Sequence, residues 1–256
     1  MNNVILTLSI VVHNQAEISQ QLLGDISDLG DNLSAEIIFT VNTDEQLSFV
    51  TSNYHHSVTV IRNEKPKGFG ANHNFAFKQS RGRYFCVLNP DIRLIGNPFD
   101  TLIVCLDNTK AGVVAPRIIS PNGVIENSAR RFPTPFSIIK KALTGSSGLD
   151  YPKIDLGYEP DWVGGMFMLF PRDVFEAIQG FDERYFLYYE DVDLCARLRM
   201  AKFSIFLCPQ AKAVHDARYD SHHNAKYRQW HLKSMLRFFT SRGFWKLVIA
   251  ARLGGS

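Results

Sequence analysis

Three carboxylates crowd into Glu190-Asp191-Val192-Asp193, at the head of a segment with helical spacing. If Asp191 lies near that helix start, the positive end of the helix dipole favours its anionic form. A carboxylate kept ionised can act as a general base toward an alcohol. Acids also cap helices routinely, so the stretch alone is equally an N-cap and first turn. The neighbouring Gly180-Phe181-Asp182 and the aromatics Tyr185, Phe186, Tyr188 and Tyr189 make it more specific. Such aromatics can wall a sugar-sized pocket, although most aromatic residues are simply core. Asn89-Pro90-Asp91 is a second place for chemistry, because it breaks a buried-looking strand and ligands of open α/β sheets bind at the carboxyl ends of strands. A carboxylate there can hold a hard cation that neutralises a diphosphate. Alone, the tripeptide is more often an ordinary Pro-Asp turn. His215 ends the apolar Ala213-Val214 run and offers a neutral imidazole to complete a metal shell begun by Asp91. His13 follows the first strand, where a base or ribose can sit, with a surface role equally open. Gly68-Phe69-Gly70 has neither dinucleotide-fingerprint nor Walker spacing. Its glycines allow close backbone approach, while Asn72, His73 and Asn74 either face a ligand or cap the helix that follows. His222 and His223 read as exposed helix residues.

These side chains need elements to position them. Val4 to Val12 is nearly continuous in apolar, β-favouring residues, which is how a strand buried on both faces reads. Ile18, Leu22, Leu23, Ile26 and Leu29 follow at helical spacing, and Gly30-Asp31-Asn32 ends that helix. Strands are expected over Glu36 to Val41, Val58 to Ile61 and Arg83 to Leu88. A polar helix is expected after Asp44 and another over Ala71 to Gln79. Strands alternating with helices mean parallel βαβ units. In the second half Gly112 to Pro116, Val124 to Glu126, Gly165 to Phe170, Phe203 to Leu207 and Ala211 to Val214 read as strands. Arg172 to Ile178, Tyr189 to Met200, His222 to Thr240 and Phe244 to Leu253 read as helices. Residues 128 to 160, punctuated by Pro133, Pro135, Gly145, Gly148, Pro152 and Pro160, form a long, mobile loop with a short helix near Ile138 to Leu143. Long loops in compact domains are often functional.

Composition narrows the class. A chain of 256 residues that is 45% hydrophobic and 21% charged can bury a core and is not disordered. Lys+Arg of 28 against Asp+Glu of 25 leaves +3, too little to point to nucleic acid as the partner. No apolar run is long enough to cross a bilayer, and no basic segment precedes Val4, so no leader is expected. Cys86, Cys105, Cys195 and Cys208 form no CxxC pair and read as reduced, mostly buried thiols of a cytosolic protein. A disulfide scaffold, a multi-span membrane protein and a structural zinc ribbon are excluded.

The motifs also fall in a known order: Ser9-Ile10-Val11-Val12-His13-Asn14, Gly68-Phe69-Gly70-Ala71-Asn72-His73-Asn74, Asn89-Pro90-Asp91, Gly164-Gly165-Met166-Phe167-Met168, Gly180-Phe181-Asp182, Tyr189-Glu190-Asp191-Val192-Asp193-Leu194-Cys195 and His215. Over roughly residues 4 to 216 the chain resembles the family 2 inverting glycosyltransferases with a GT-A fold. Arg130-Arg131-Phe132-Pro133, Asp161-Trp162-Val163-Gly164-Gly165 and Arg228-Gln229-Trp230-His231-Leu232-Lys233-Ser234 resemble bacterial rhamnosyltransferases of O-antigen and cell-wall assembly. The resemblance implies an α/β fold with a mostly parallel central sheet, flanking helices and C-terminal helices. It divides the chain into a transferase domain over 1–220, with a donor half to about 95 and an acceptor half from 96, and a helical extension over 221–256. It implies a dTDP-L-rhamnose donor, a divalent metal (Mg²⁺ or Mn²⁺), Asp191 as catalytic base, and Asp91 and His215 as metal ligands. Donor contacts fall to His13, Asn14, Asn42, Gly70, Asn72, Asn89 and Asp91, and acceptor contacts to Trp162, Gly164, Gly165 and Glu190. Asn89 stands where relatives carry the first acid of a DxD motif, and Asn42 where they carry an acid that contacts the nucleotide.

The implied reaction is a single displacement with inversion, moving the sugar to a hydroxyl of a glycan or lipid-diphosphate-linked acceptor. A UDP-sugar donor, or a non-catalytic sugar-nucleotide-binding role, is the alternative. A metal-dependent nucleotidyltransferase is a rival from another class, disfavoured because no basic glycine-rich triphosphate loop is present. From Trp230 to Leu253, apolar residues alternate with Lys233, Arg237, Arg242, Lys246 and Arg252. That mix suits either an interfacial helix pair on the cytoplasmic face of the inner membrane or helices packed on the sheet with snorkelling cations.

Overall fold

A computed structural model describes residues 4–145, 148–151, 155–216 and 225–253. The apolar first segment forms β1 (Leu6–Val12), whose Leu6, Leu8, Ile10 and Val12 point into one core and whose Thr7 and Ser9 point to the other face. The helical spacing that follows becomes α1 (Ala16–Asp28), and β2 (Ala35–Val41) and β3 (Ser57–Arg62) add in parallel beside β1. The polar helix expected after Asp44 is absent. That stretch is irregular, with one 3₁₀ turn at Thr51–Asn53, because Glu45 turns its carboxylate back onto the amides of Asn14 and Ala16 at the start of α1. Next come α2 (Phe69–Gln79) and β4 (Tyr84–Leu88), then β5 (Ile92–Leu94) directly after the Asn-Pro-Asp turn. The sequence reading passed over α3 (Pro98–Thr109), although Asn97 caps it and Pro98 opens it, a common start signal.

In the second half lie β6 (Val113–Ile119), β7 (Ala129–Arg130), α4 (Pro135–Thr144), β8 (Trp162–Val163), β9 (Phe167–Pro171), α5 (Arg172–Ala177) and α6 (Glu190–Met200). They are followed by β10 (Ile205–His215), α7 (Ala225–Thr240) and α8 (Arg242–Leu253). Val124 to Glu126 is not a strand. It makes one antiparallel bridge, Ile119 to Ile125, beyond the Pro121-Asn122-Gly123 turn. The two strands expected over 203–214 are one, β10, bulged between Cys208 and Lys212. His222 and His223 lie outside the described residues.

The main sheet has eight strands in the order β3-β2-β1-β4-β9-β6-β10-β5. Six run parallel, whereas β9 and β5 run antiparallel to their neighbours. Leu22, Leu23 and Ile26 of α1 and Phe99, Leu102 and Leu106 of α3 cover one face. Ala76, Phe175, Leu194, Leu198, Phe238 and Phe244 cover the other, so α7 and α8 take part in the second core. Ser234 donates to the Leu187 carbonyl at 2.8 Å and Trp230 stacks against Phe186 with ring centres 4.6 Å apart. On the outside of this helix pair Leu232, Leu236 and Trp245 remain exposed. All four cysteines are free thiols, Cys105 half-buried and the others buried.

The polar side of β1 carries a buried strip. The Thr7 hydroxyl donates to Glu36, whose other oxygen takes the Arg81 guanidinium. Ser9 Oγ lies 2.8 Å from His73 Nδ1. Burial alone drives the His73 imidazole down to about 3. The unfolded chain therefore takes up a proton near pH 6.5 that the folded chain refuses, so stability falls as pH drops below 6.5. Between pH 6.5 and 4.5 the wild type should lose about 2 kcal/mol more than His73→Asn, because the full slope of ~1.4 kcal/mol per pH unit is reached only well below 6.5. Denaturant unfolding across that range checks it, and parallel slopes would contradict a neutral buried His73.

Candidate active site

Two successive left-handed residues, Tyr188 (φ 68°) and Tyr189 (φ 65°), swing the chain into α6. This backbone is costly for residues with side chains, and such strain clusters at functional sites. It delivers Glu190 and Asp191 to the floor of a cleft of about 880 Å³. Asp191 is half-buried, and its two oxygens accept from the Gly165 amide at 3.0 Å and the Val192 amide at 2.8 Å. Burial raises the Asp191 carboxyl, while those amides and the Arg130 guanidinium pull it back. Burial and then the charge of Asp191 push Glu190 well above the usual carboxylate range, and its Oε2 has no partner. Two adjoining carboxyls in one dry site do not both ionise readily. Asp191 holds the hydrogen bonds that favour an anion, whereas Glu190 Oε2 has none, so of the two Asp191 is the better placed to ionise.

The lead-in to β9 fits this floor because it lacks side chains. A Cβ on Gly165 would lie 3.3 Å from Phe69 Cε1 and 3.6 Å from Asp191 Cβ. Gly165 therefore sits where the Gly-Phe-Gly turn meets the acidic helix. Gly164 donates to the Ser128 carbonyl at 2.8 Å. Trp162 is buried, with Nε1 donating to the Arg131 carbonyl at 2.9 Å and Arg130 5.0 Å above its ring. The cleft brings together Trp162, Gly164, Glu190 and Asp191 with Arg130 and His231. The charge of Arg130 acts on Asp191, Tyr189 and His231 alike.

A second cluster forms where β5 pairs with β10. Register places His215 opposite Ile92, beside Asp91. His215 Nε2 lies 3.5 Å from Asp91 Oδ2, and Nδ1 lies 2.9 Å from Glu126 Oε2. Asp91 Oδ1 and Glu126 Oε1 are buried without partners. Burial lowers the His215 imidazole, but the two carboxylates outweigh it and raise it to about 9. The donor set fits a divalent cation: an orphaned carboxylate oxygen, an imidazole nitrogen facing it, and a carboxylate orienting the far side of the ring. Among the described residues no group of three or more His, Cys, Asp and Glu surrounds one point. Two protein ligands with the remaining positions left to water and phosphate suit a Mg²⁺-like ion. Glu126 escaped the sequence reading, since nothing in its spacing ties it to a histidine 89 residues on.

The donor-half candidates form a different kind of structure. Asn42 Oδ1 accepts from the Lys67 amide and Asn63, while its Nδ2 donates to the Lys67 carbonyl and faces His13 Nδ1 at 3.2 Å. Asn72 accepts from Asn63 and donates to the Gly68 carbonyl. These amides clamp the loop at Lys67 with groups that sequence reasoning assigned to a ligand. Gly70 lies so close to Phe181 that a Cβ would collide with it, and Asn74 ties the same loop by exchanging hydrogen bonds with the Phe181 backbone. Asn14 is exposed in a left-handed conformation (φ 58°), and His13 is half-buried. Asn89 donates its amide to the Met166 carbonyl at 2.9 Å. Asp91 and Asp191 are thus linked through Asn89, Met166 and Gly165.

A mostly parallel sheet with acids at its carboxyl edge and a wide cleft beside them is the architecture of a nucleotide-sugar transferase. Residues 7–205 match the family described as Glycosyl transferase family 2. The chain belongs to that family and is a glycosyltransferase. It is 27% identical over 245 residues to "Rhamnosyltransferase WbbL" of Escherichia coli K12, covering 91% of this chain and 92% of that one. It is 30% identical over 186 residues to the "N-acetylglucosaminyl-diphospho-decaprenol L-rhamnosyltransferase" of Mycobacterium tuberculosis, covering 66% of this chain and 60% of the relative. Among solved structures, GalNAc-T7 with UDP, GalNAc and Mn²⁺ superposes with a TM-score of 0.65 at 16% identity, over 84% of this chain and 44% of that one. The mannosyltransferase PcManGT of Pyrobaculum calidifontis, in complex with GDP-Man and Mn²⁺, gives 0.62 at 13% identity, over 92% and 64%. At such identities the structures establish the shared fold.

The packing of Gly70 sets a test of the clamp. Gly70→Ala should cost about 1–3 kcal/mol, because the new methyl meets Phe181 in a filled space. Thermal unfolding measures the loss, and an unchanged midpoint would show the α2 contact to be loose.

Proposed function

We propose that this glycosyltransferase moves L-rhamnose from dTDP-L-rhamnose to a hydroxyl of a glycan or lipid-diphosphate-linked acceptor, with inversion. The observation that carries the reading is Asp191, an acid held by two backbone amides beside the buried Glu190 on the floor of a sugar-sized cleft. The likeness to two rhamnosyltransferases, one named for a diphospho-decaprenol substrate, supports the donor and acceptor class.

Asp191 accepts the proton of the acceptor hydroxyl as that oxygen bonds to the anomeric carbon. The bond from that carbon to the donor diphosphate breaks, and its electron pair leaves with the diphosphate. The Gly165 and Val192 amides hold the carboxylate so that a lone pair remains for the proton. Asp91 and His215 would hold a divalent cation, with Glu126 fixing the imidazole orientation. When bound, that ion supplies charge neutralisation for the departing diphosphate. Trp162 and Arg130 wall the acceptor side. Among the described residues no helix is long and apolar enough to cross a membrane, so contact with a lipid-linked acceptor would be peripheral.

Two pairs of variants test the assignment. Asp191→Asn should lower transfer by about 10²–10⁴-fold, the usual worth of a general base, while nucleotide-sugar binding still raises the melting temperature. Glu190→Gln, which mimics the protonated acid, should keep most of the activity. Equal turnover of Asp191→Asn and wild type would remove Asp191 from the base role. Asp91→Ala should abolish the Mn²⁺-dependence of donor binding in titration calorimetry. Glu126→Gln should weaken Mn²⁺ about 10–100-fold, as lost outer carboxylates do. Unchanged Mn²⁺ affinity in both would move the metal elsewhere.

A further inference from the structure

The helix α4 is apolar on the side that faces away from the protein. Phe136, Ile139 and Leu143 recur at i, i+3 and i+7, and they are 76%, 58% and 82% exposed. Lys140, one turn on from Phe136 at the edge of this stripe, and Lys141, on the far side of the helix, line the cleft that holds Asp191, and Arg130 and Arg131 line it too. Among the described residues neither lysine has a carboxylate partner. The carboxylates of Asp150 and Asp191 share the cleft and offset only part of this charge. Asp150 is held by Asn127 and the Arg131 amide, and Asp191 by the Gly165 and Val192 amides. A wall of four cations thus runs beside the base, and the helix that carries two of them turns a bare apolar edge outward.

Neither feature is explained by a soluble glycan alone. We propose that α4 and the Arg130-Arg131 pair form a subsite for the diphosphate of a lipid-anchored acceptor. Lys140, Lys141 and Arg131 take the diphosphate, while Phe136, Ile139 and Leu143 enter the lipid surface from which it hangs. Charge complementarity and continuity with the Asp191 cleft argue for this occupant. Lys140 borders both the apolar stripe and the cleft, so one approach to a bilayer engages both. The inference rests on the glycosyltransferase reading above and adds to it the place where the acceptor's anchor is read. It puts membrane contact on α4, separate from the C-terminal helix pair.

Flotation of the full chain with vesicles tests it. Three compositions are compared: phosphatidylcholine alone, phosphatidylcholine with a polyprenyl diphosphate, and phosphatidylcholine with phosphatidylglycerol at equal surface charge. The wild type should float with the polyprenyl-diphosphate vesicles far more than with either other kind. Lys140→Ala/Lys141→Ala should reduce that partition roughly 30-fold, from the worth of each cation near an anionic surface. Phe136→Ser/Ile139→Ser/Leu143→Ser should reduce it comparably. All five side chains changed on α4 lie outside the cores, so both variants should keep the melting temperature and its rise with nucleotide sugar. Wild-type flotation by both variants, or equal recruitment of the wild type by phosphatidylglycerol vesicles, would overturn the proposal. Intact flotation with no nucleotide-sugar effect on wild-type melting would instead count against the donor assignment and leave the α4 subsite standing.

Discussion

The lead-in to β9 is the constraint on which the site depends. Three consecutive residues there make three backbone hydrogen bonds to three different parts of the site. The Gly164 amide donates to Ser128, the Gly165 amide to Asp191, and the Met166 carbonyl accepts from Asn89. They are joined because β9 runs antiparallel between β4 and β6. An antiparallel strand brings its own start to the carboxyl ends of its parallel neighbours, where ligands of such sheets sit. Neither glycine could carry a side chain without meeting Met166, or Phe69 and Asp191. The strand that closes the sheet therefore also sets the distance between the metal-type cluster and the acid on α6.

The two acidic clusters handle burial differently. Asp191 is held by amides at a helix start, and its neighbour Glu190, whose Oε2 has no such bond, is the less readily ionised of two crowded carboxyls. Asp91 and Glu126 instead share one imidazole and leave one oxygen each without a partner. Buried polar atoms are nearly always paired, so orphans of this kind ask for an explanation. At Asp91 the cation proposed above would provide one. At Glu126 the imidazole bond would fix which nitrogen faces that cation. Stability alone would favour apolar residues at such places, and their retention fits a functional cost borne by a large core.

What was legible in the sequence followed from residue type at a forced position. Asp191 could be read because acids at a helix start after an aromatic-glycine loop are a dense local pattern. Asp91 could be read because Asn-Pro-Asp ends a strand that is apolar throughout. The strands β1, β2 and β4 were legible because burial on both faces leaves a continuous apolar run. Glu126, Arg130 and Asn63 were not read as site residues, since each acts through a partner brought close only by the sheet. Asn42, Asn72 and Gly70 were read as donor contacts by position in the family. Their side chains, or the lack of one, also hold the Lys67–Gly70 loop against Asn63 and Phe181, and pattern matching cannot separate the two uses. In the tail the apolar spacing was visible, but the choice of face was not. Phe238 and Phe244 went to the core, and Leu232, Leu236 and Trp245 stayed outside.

The two halves of the site differ in how firmly the chain holds them, and this bears on how specificity is divided. Loop 63–70 and the acid of α6 are fixed by side-chain amides, by close glycine contacts and by sheet pairing on either side. Residues 127–144, 148–150 and 162 make the opposite wall of the cleft with the two-residue strands β7 and β8 and the helix α4, and the side chains of α4 are mostly exposed. Few sheet hydrogen bonds constrain that wall. Apart from Ala129, Trp162 and Val163, which pack in the second core, its residues can change without disturbing the sheet, as is usual for binding segments carried on a rigid scaffold. Charge is concentrated there as well, in Arg130, Arg131, Lys140 and Lys141. On the assignment proposed above, recognition of the acceptor would diverge through this segment while Asp191 and the metal-type cluster stay tied to the sheet. Substitutions in α4 would alter which acceptor is used, whereas substitutions in the lead-in to β9 would alter whether transfer occurs at all.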